Sequence, residues 1–136
     1  MRKYKIIFID IDDTLNPSNE PVSNRTKKIM QELKKQGIIT VINSGRSTGY
    51  AIKKSLEANM SQYVIGSNGA EVYDYHQRKV IFEQSIPKDT IKKVYNYCES
   101  IGLTLILNSM EKRFVNIKDN YQNNEQAYYF DNIYEA

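Results

Sequence analysis

Four consecutive apolar residues, Ile6–Ile7–Phe8–Ile9, run directly into Asp10–Ile11–Asp12–Asp13–Thr14–Leu15. An uninterrupted Ile/Phe run is the signature of a strand buried on both faces of a parallel sheet, and in open α/β sheets ligands bind where such strands end. Asp10 and Asp12 therefore stand at the mouth of a candidate site. One carboxylate placed there can attack a phosphoryl group, and a second can give and take the proton. Thr14 adds a hydroxyl for a phosphate oxygen. The competing reading is that Asp residues follow strands because they stabilise turns, and an isolated D-x-D does not separate the two.

The pattern repeats twice. Ile38–Ile42 is a β-branched run that ends in Asn43–Ser44–Gly45–Arg46, and Tyr63–Gly66 ends in Ser67–Asn68–Gly69–Ala70. Between the runs lie two helical patterns. Ser23 to Gln36 carries Ile29, Met30 and Leu33, with Ser23 as N-cap and Gly37 as terminator; Ser47 to Asn59 turns Ala51, Ile52 and Leu56 inward. Strand, helix, strand, helix, strand is the order of a parallel sheet with right-handed crossovers. Such a fold brings the polar residues after all three strands to one end.

Beyond Gly69 the pattern changes. Glu71–Tyr75 and Lys79–Phe82 form a hairpin around His76–Gln77–Arg78, which places His76, the single histidine, in an exposed turn. Pro87 opens a helix whose stripe is Ile91, Val94, Tyr95, Cys98 and Ile101, and Gly102 closes it. Leu103–Asn108 then pairs with Arg113–Ile117. The expected domains are 1–84, an α/β unit, and 85–136, an α+β segment. Its Asn- and Tyr-rich end, Asp119 to Ala136, reads as a loop whose aromatics dock.

Charge and composition narrow the function classes. Nineteen basic and 16 acidic residues are scattered over 136 positions, for a net charge of +3, and no dense Lys/Arg face interleaved with aromatics suggests nucleic-acid binding. The apolar run before Asp10 is too short for a signal peptide or membrane span, and the single cysteine fits a reducing compartment, so a cytoplasmic protein is expected. Cys98 reads as packing rather than chemistry. The tyrosines at 73, 75, 95 and 97 read the same way.

Taken together, Asp10–Ile11–Asp12–Asp13–Thr14–Leu15, Asn43–Ser44–Gly45–Arg46 and Ser67–Asn68–Gly69–Ala70–Glu71, in this order, resemble the haloacid dehalogenase superfamily. The resemblance is to the Cof-type phosphatases, which carry a large α/β cap after the third strand. It implies an α/β Rossmann-like parallel sheet forming the N-terminal half of a core, followed by part of a cap. It implies Mg²⁺-dependent hydrolysis of a small phosphorylated metabolite through an aspartyl-phosphate. Residue by residue, it assigns Asp10 as nucleophile and magnesium ligand, and Asp12 as general acid/base and magnesium ligand through its carbonyl. Ser44 becomes the hydroxyl that holds the transferring phosphoryl, Thr14 the motif threonine, and Arg46 and Asn68 substrate contacts. Asp13 stands where many members have glycine.

A carboxylate cannot approach a phosphate dianion without a bridging cation, which is the physical reason for Mg²⁺. The family's later lysine and acidic pair have no counterpart here. Lys53 and Lys54 are expected on the solvated face of the second helix, and Asp119 and Asp131 have no metal-ligand spacing. A catalytically incomplete phosphate- or metal-binding module is therefore the alternative. A phosphoacceptor signalling domain ranks last, because the third strand ends in Ser67–Asn68–Gly69 rather than an aspartate. The chain stops within the cap-like part, so the Ile6–Ile9 strand is expected to lie at a sheet edge, which self-association would cover.

Overall fold

A computed structural model of the chain describes residues 4–18, 20–110, 113–116 and 128–129. By its internal contacts the chain divides into two compact units, 1–83 and 84–136.

The first unit is built on a five-stranded sheet in the order β1 (Ile6–Ile9), β2 (Ile39–Asn43), β3 (Tyr63–Gly66), β4 (Glu71–Asp74) and β5 (Lys79–Glu83). The first three strands are parallel, with Ile9 beside Ile42 and Ile42 beside Val64. The sequential order requires both crossovers on one face. Helices α1 (Asn24–Lys35) and α2 (Thr48–Glu57) accordingly share one core, in which Ile11, Met30, Ile42, Ala51 and Val64 are buried together. Ser23 and Ser47 cap the two helices by accepting the backbone N–H groups of Thr26 and Tyr50. Gly37 (φ 71°) supplies the left-handed residue that stops α1. The hairpin read after Gly69 does form, but it extends the same sheet as antiparallel β4 and β5. Its turn is closed by buried Asp74, whose carboxylate accepts the N–H groups of His76 and Gln77. His76 is exposed.

Helix α2 is rotated from the expected orientation. Leu56 is turned outward and exposed, while Thr48, Ala51, Ser55 and Ala58 face the core. These small residues let the helix come close to β3, and the tightest approach is at Gly66. A Cβ there would meet Thr48 Cα at 2.8 Å and Thr48 N at 2.9 Å. Because that obstacle is backbone, Gly66→Ala is expected to destabilise the fold by about 2 kcal/mol, measured as a shift of the urea midpoint.

Strand β1 takes the expected place at the sheet edge and departs from expectation only in its burial. It is the outermost strand of the sheet, and Ile6 and Phe8 are 43% and 54% exposed rather than buried on both faces. Only Ile9 of this strand packs against the core. Among the described residues no strand pairs with its outer edge, and because α1 and α2 both pack on the Ile9 face, the face that carries Ile6 and Phe8 is left uncovered.

The second unit holds α3 (Lys88–Ser100) and a sheet of β6 (Ile106–Asn108), β7 (Arg113–Val115) and β8 (Tyr128–Tyr129). β6 and β7 are antiparallel, while β8 runs parallel to β7. Asn116 ties helix to hairpin: its Nδ2 donates to Glu99 Oε1 (2.8 Å) and its Oδ1 accepts the Leu105 N–H (2.6 Å). The stripe on α3 is not a buried core, since Val94 and Ile101 are 43% and 49% exposed and Cys98 is half-buried. Apart from Tyr128–Tyr129, the aromatic tail lies outside the described residues. No described helix is long and apolar enough to cross a membrane.

Candidate active site

The parallel register of β1, β2 and β3 carries the three polar segments to the same end of the sheet. Asp10 follows Ile9 directly, and its backbone carbonyl accepts the Leu15 N–H at 3.1 Å. This bond belongs to a tight turn in which Asp13 takes the left-handed conformation (φ 58°). That backbone explains why aspartate is tolerated at a position suited to glycine, because Asp reaches this region more readily than most residues. The Asp10 side chain is exposed and makes no hydrogen bond or ion pair among the described residues.

Ser44 is buried, donates its N–H to Ile65 O (3.0 Å) and accepts the Asn68 N–H at its carbonyl (3.2 Å). Asn68 in turn lies over Gly45, where a Cβ would stand 2.7 Å from its Oδ1. Ser67, Asn68 and Gly69 all have positive φ, at 51°, 57° and 89°. Three such residues in a row are costly outside glycine, and strain of this kind collects at functional loops. The Ser67 N–H bond to Arg46 O (2.8 Å) helps to hold it. Thr48 donates to the Glu71 carboxylate and ties α2 to β4 at the same end.

Asp12 is the most tightly held group. Arg46 grips its carboxylate with two bonds, Nε to Oδ2 at 2.8 Å and a terminal guanidinium nitrogen to Oδ1 at 2.9 Å. The guanidinium also lies 5.3 Å from the Tyr50 ring centre. Arg46 is therefore a structural partner of Asp12 and not a solvated loop residue. The Arg46 hydrogen bonds hold the Asp12 carboxyl below the usual carboxylate range against the opposing effect of burial, with Ser18 and the charge of Lys54 adding to the depression. Ser18, which sequence reasoning missed, donates its hydroxyl to Asp12 Oδ1 at 3.2 Å. Only its place in the turn-forming Asn16–Pro17–Ser18 segment could have signalled it. Thr14 is exposed in the same turn.

A depressed carboxyl contributes stability that is present above its unfolded value of 3.8 and is lost as pH falls through the lower folded value. Arg46→Met should therefore cost about 1 kcal/mol at pH 7. It should also flatten the acid limb of the stability curve below pH 3.8, as followed by denaturant titration at several pH values.

Lys54 is a further correction. It is buried, not solvated, and its Nζ donates to Glu20 O and to Glu57 Oε2, both at 3.0 Å. Glu57 Oε1 accepts the Val22 N–H at 2.7 Å. Burial pushes the Glu57 carboxyl up, but the bonds from Lys54 and Val22 outweigh it and hold it below its ordinary range.

Among the described residues no three His, Cys, Asp or Glu side chains converge on one point. Magnesium does not need such a cage, since it commonly takes one or two protein oxygens and completes its octahedron with waters and substrate phosphate. The Asp10 carboxylate, unpartnered among the described residues and two positions from the Asp12 backbone, fits that limited demand. A cleft of about 490 Å³ lies instead at the opposite end of the strands, lined by Thr40, Leu56, Ser61, Tyr75 and His76. It contains none of the carboxylates, so the strand-end cluster is the candidate for chemistry.

Comparison with known proteins bears on the family and the fold. The family profile described as haloacid dehalogenase-like hydrolase matches residues 7–136. A putative phosphatase of Buchnera aphidicola subsp. Baizongia pistaciae is 33% identical over 95 residues, 70% of this chain and 35% of that protein. A putative phosphatase of Bacillus subtilis is 31% identical over 96 residues, 68% of this chain and 36% of its own. The 5-amino-6-(5-phospho-D-ribitylamino)uracil phosphatase of Bacillus subtilis is 30% identical over 70 residues, covering 52% of this chain and 28% of that enzyme. Among solved structures, a haloacid dehalogenase-like hydrolase from Bacteroides thetaiotaomicron superposes with a TM-score of 0.75 at 23% identity, over 85% of this chain and 44% of that one. That likeness shows the fold. The chain spans about a third of the curated relatives and under half of the solved one.

Proposed function

The chain belongs to the haloacid dehalogenase-like hydrolases, and on that premise we propose that it is of their Cof-type branch and carries the phosphoryl-transfer end of a phosphatase acting on a small phosphorylated metabolite. The observation that carries this reading is the placement of the Asp10 carboxylate, unpartnered among the described residues, at the strand end that also holds Ser44, Asn68 and the Asp12–Arg46 pair. The ribitylaminouracil phosphate in the name of one relative supports the substrate class.

In this reading Asp10 attacks phosphorus and becomes an aspartyl-phosphate, while the Ser44 hydroxyl and Asn68 orient the phosphoryl oxygens. Thr14 lies in the same turn and offers a further hydroxyl. The Asp10 carboxylate and the Asp12 carbonyl would hold Mg²⁺, which neutralises charge between the carboxylate and the phosphate. Asp12 is ionised while Arg46 holds it. It is thus ready to accept a proton from water, and it can donate one to a leaving oxygen only after Arg46 lets go and the carboxylate has taken up a proton from solvent. An arriving phosphate dianion is the natural competitor for that guanidinium, because planar bidentate recognition suits phosphate as well as carboxylate. Arg46 then serves as the substrate contact.

The same pair supports the alternative of a binding module. If Arg46 never leaves Asp12, the site binds phosphate without turning it over. Hydrolysis of p-nitrophenyl phosphate with and without Mg²⁺ separates the two: a slow, metal-dependent rate supports the phosphatase, and phosphate binding with no rate supports the module.

A further inference from the structure

Buried lysines are uncommon because removing the ammonium from water is costly unless it is paired and hydrogen-bonded. Lys54 has 6% relative exposure, in contrast to its exposed neighbour Lys53. Its two partners join different segments. Glu57 is one turn along the same helix, whereas Glu20 belongs to the loop that leaves the site turn and leads to α1. The Glu20 carbonyl receives a second bond from buried Asn16 Nδ2 (2.9 Å), and Glu57 takes the Val22 N–H. Helix α2 thus grips the far end of the loop at two points. The near end touches the site: Ser18 donates its hydroxyl to Asp12 Oδ1 and its N–H to Asp13 Oδ1 at 3.1 Å. Val22 is buried beside these bonds and anchors the far end of the loop.

We infer that Lys54 and Glu57 form a clamp that sets the position of residues 20–22 and, through the bond of Asn16 to Glu20 O, of residues 16–18, and so presents Asp12 to the phosphate site. They are positioning residues, since neither touches the strand-end cluster through a bond of its own. The assignment rests on the phosphate reading of that cluster, but the clamp has a readout independent of it. The bonds from α2 to the loop run to its backbone atoms, Glu20 O and the Val22 N–H, so losing them should loosen the loop before it loosens the sheet.

The test compares Lys54→Met, which keeps length and removes charge, with Lys54→Arg, which keeps charge. Amide hydrogen exchange is followed at Ser18, Val22 and, as core reference, Val64. Affinity for inorganic phosphate in the presence of Mg²⁺ is measured by calorimetry on the same samples. Lys54→Met should speed exchange at Ser18 and Val22 about tenfold and weaken phosphate binding by a similar factor, with Val64 unchanged and Lys54→Arg restoring both. Should Lys54→Met fail to fold, Glu57→Met carries the same comparison, because it removes the oxygen that takes the Val22 N–H and one of the two partners of the lysine. Exchange that rises equally at Val64 would reduce the pair to fold stability and overturn the clamp. Faster loop exchange with undiminished phosphate affinity would overturn its link to the site. If the unsubstituted protein binds no phosphate, the phosphate reading falls, while unchanged exchange at Val22 in Lys54→Met is what removes the clamp.

Discussion

Asp10→Asn is expected to remove Mg²⁺-dependent phosphate-ester hydrolysis, a loss of roughly a thousandfold or more, without altering the fold. The side chain is exposed and unpartnered among the described residues, so the amide disturbs no packing and breaks no ion pair. What it removes is nucleophilicity, because a carboxylate oxygen can form an acyl phosphate and an uncharged amide cannot. The starting rate is expected to be low. Among the described residues Asp10 and Asp12 are the only carboxylates proposed for the metal, and Arg46 is engaged with Asp12. Steady-state hydrolysis by both proteins, with circular dichroism as fold control, measures the effect. A rate surviving in the variant would mean that Asp10 is not the nucleophile.

Phe8→Lys is expected to convert a self-associated protein to a monomer. Ile6 and Phe8 lie on the outermost strand, and Ile39, beside Ile6 in register, is 42% exposed. The strand itself carries no charge, proline or bulge, the usual devices that keep a sheet edge from pairing. Unpaired backbone groups beside three exposed apolar side chains favour a second copy, and we propose that the chain forms a dimer or larger assembly through this edge. A lysine at position 8 puts a charge at the centre of that surface. Light scattering at micromolar concentration should report an assembly for the unsubstituted chain and a monomer for Phe8→Lys; a monomeric unsubstituted chain would contradict the proposal.

How far the fold could be read in advance depended on the type of signal. The strands around Ile42 and Val64 were legible because a short β-branched run bounded by polar turns has few other uses, and Ser23 and Ser47 marked helix starts by their capping chemistry. The inward face of α2 was not. Periodicity favours Leu56 over Lys54 as a core residue, but the close approach of Thr48 to Gly66 selects small side chains for that face and turns Leu56 out. Burial of Lys54 then depends on Glu20, 34 positions earlier, and distant pairs leave no local pattern. The Arg46–Asp12 pair is of the same kind, with both residues visible as motif members and their mutual grip visible only in space. The apolar run Ile6–Ile9 read as a fully buried strand because composition reports what a strand is suited to, not which neighbours it has.

The most direct test of the central claim is chemical trapping of the intermediate. The protein is incubated with Mg²⁺ and acetyl phosphate, reduced with borohydride and digested, and the peptide containing residues 6–25 is weighed. An aspartyl-phosphate at Asp10 would be reduced to homoserine, so the account predicts homoserine at position 10, dependent on Mg²⁺ and absent from Asp10→Asn. An unmodified Asp10 together with measurable Mg²⁺-dependent hydrolysis, or homoserine at Asp12 or Asp13 instead, would contradict it.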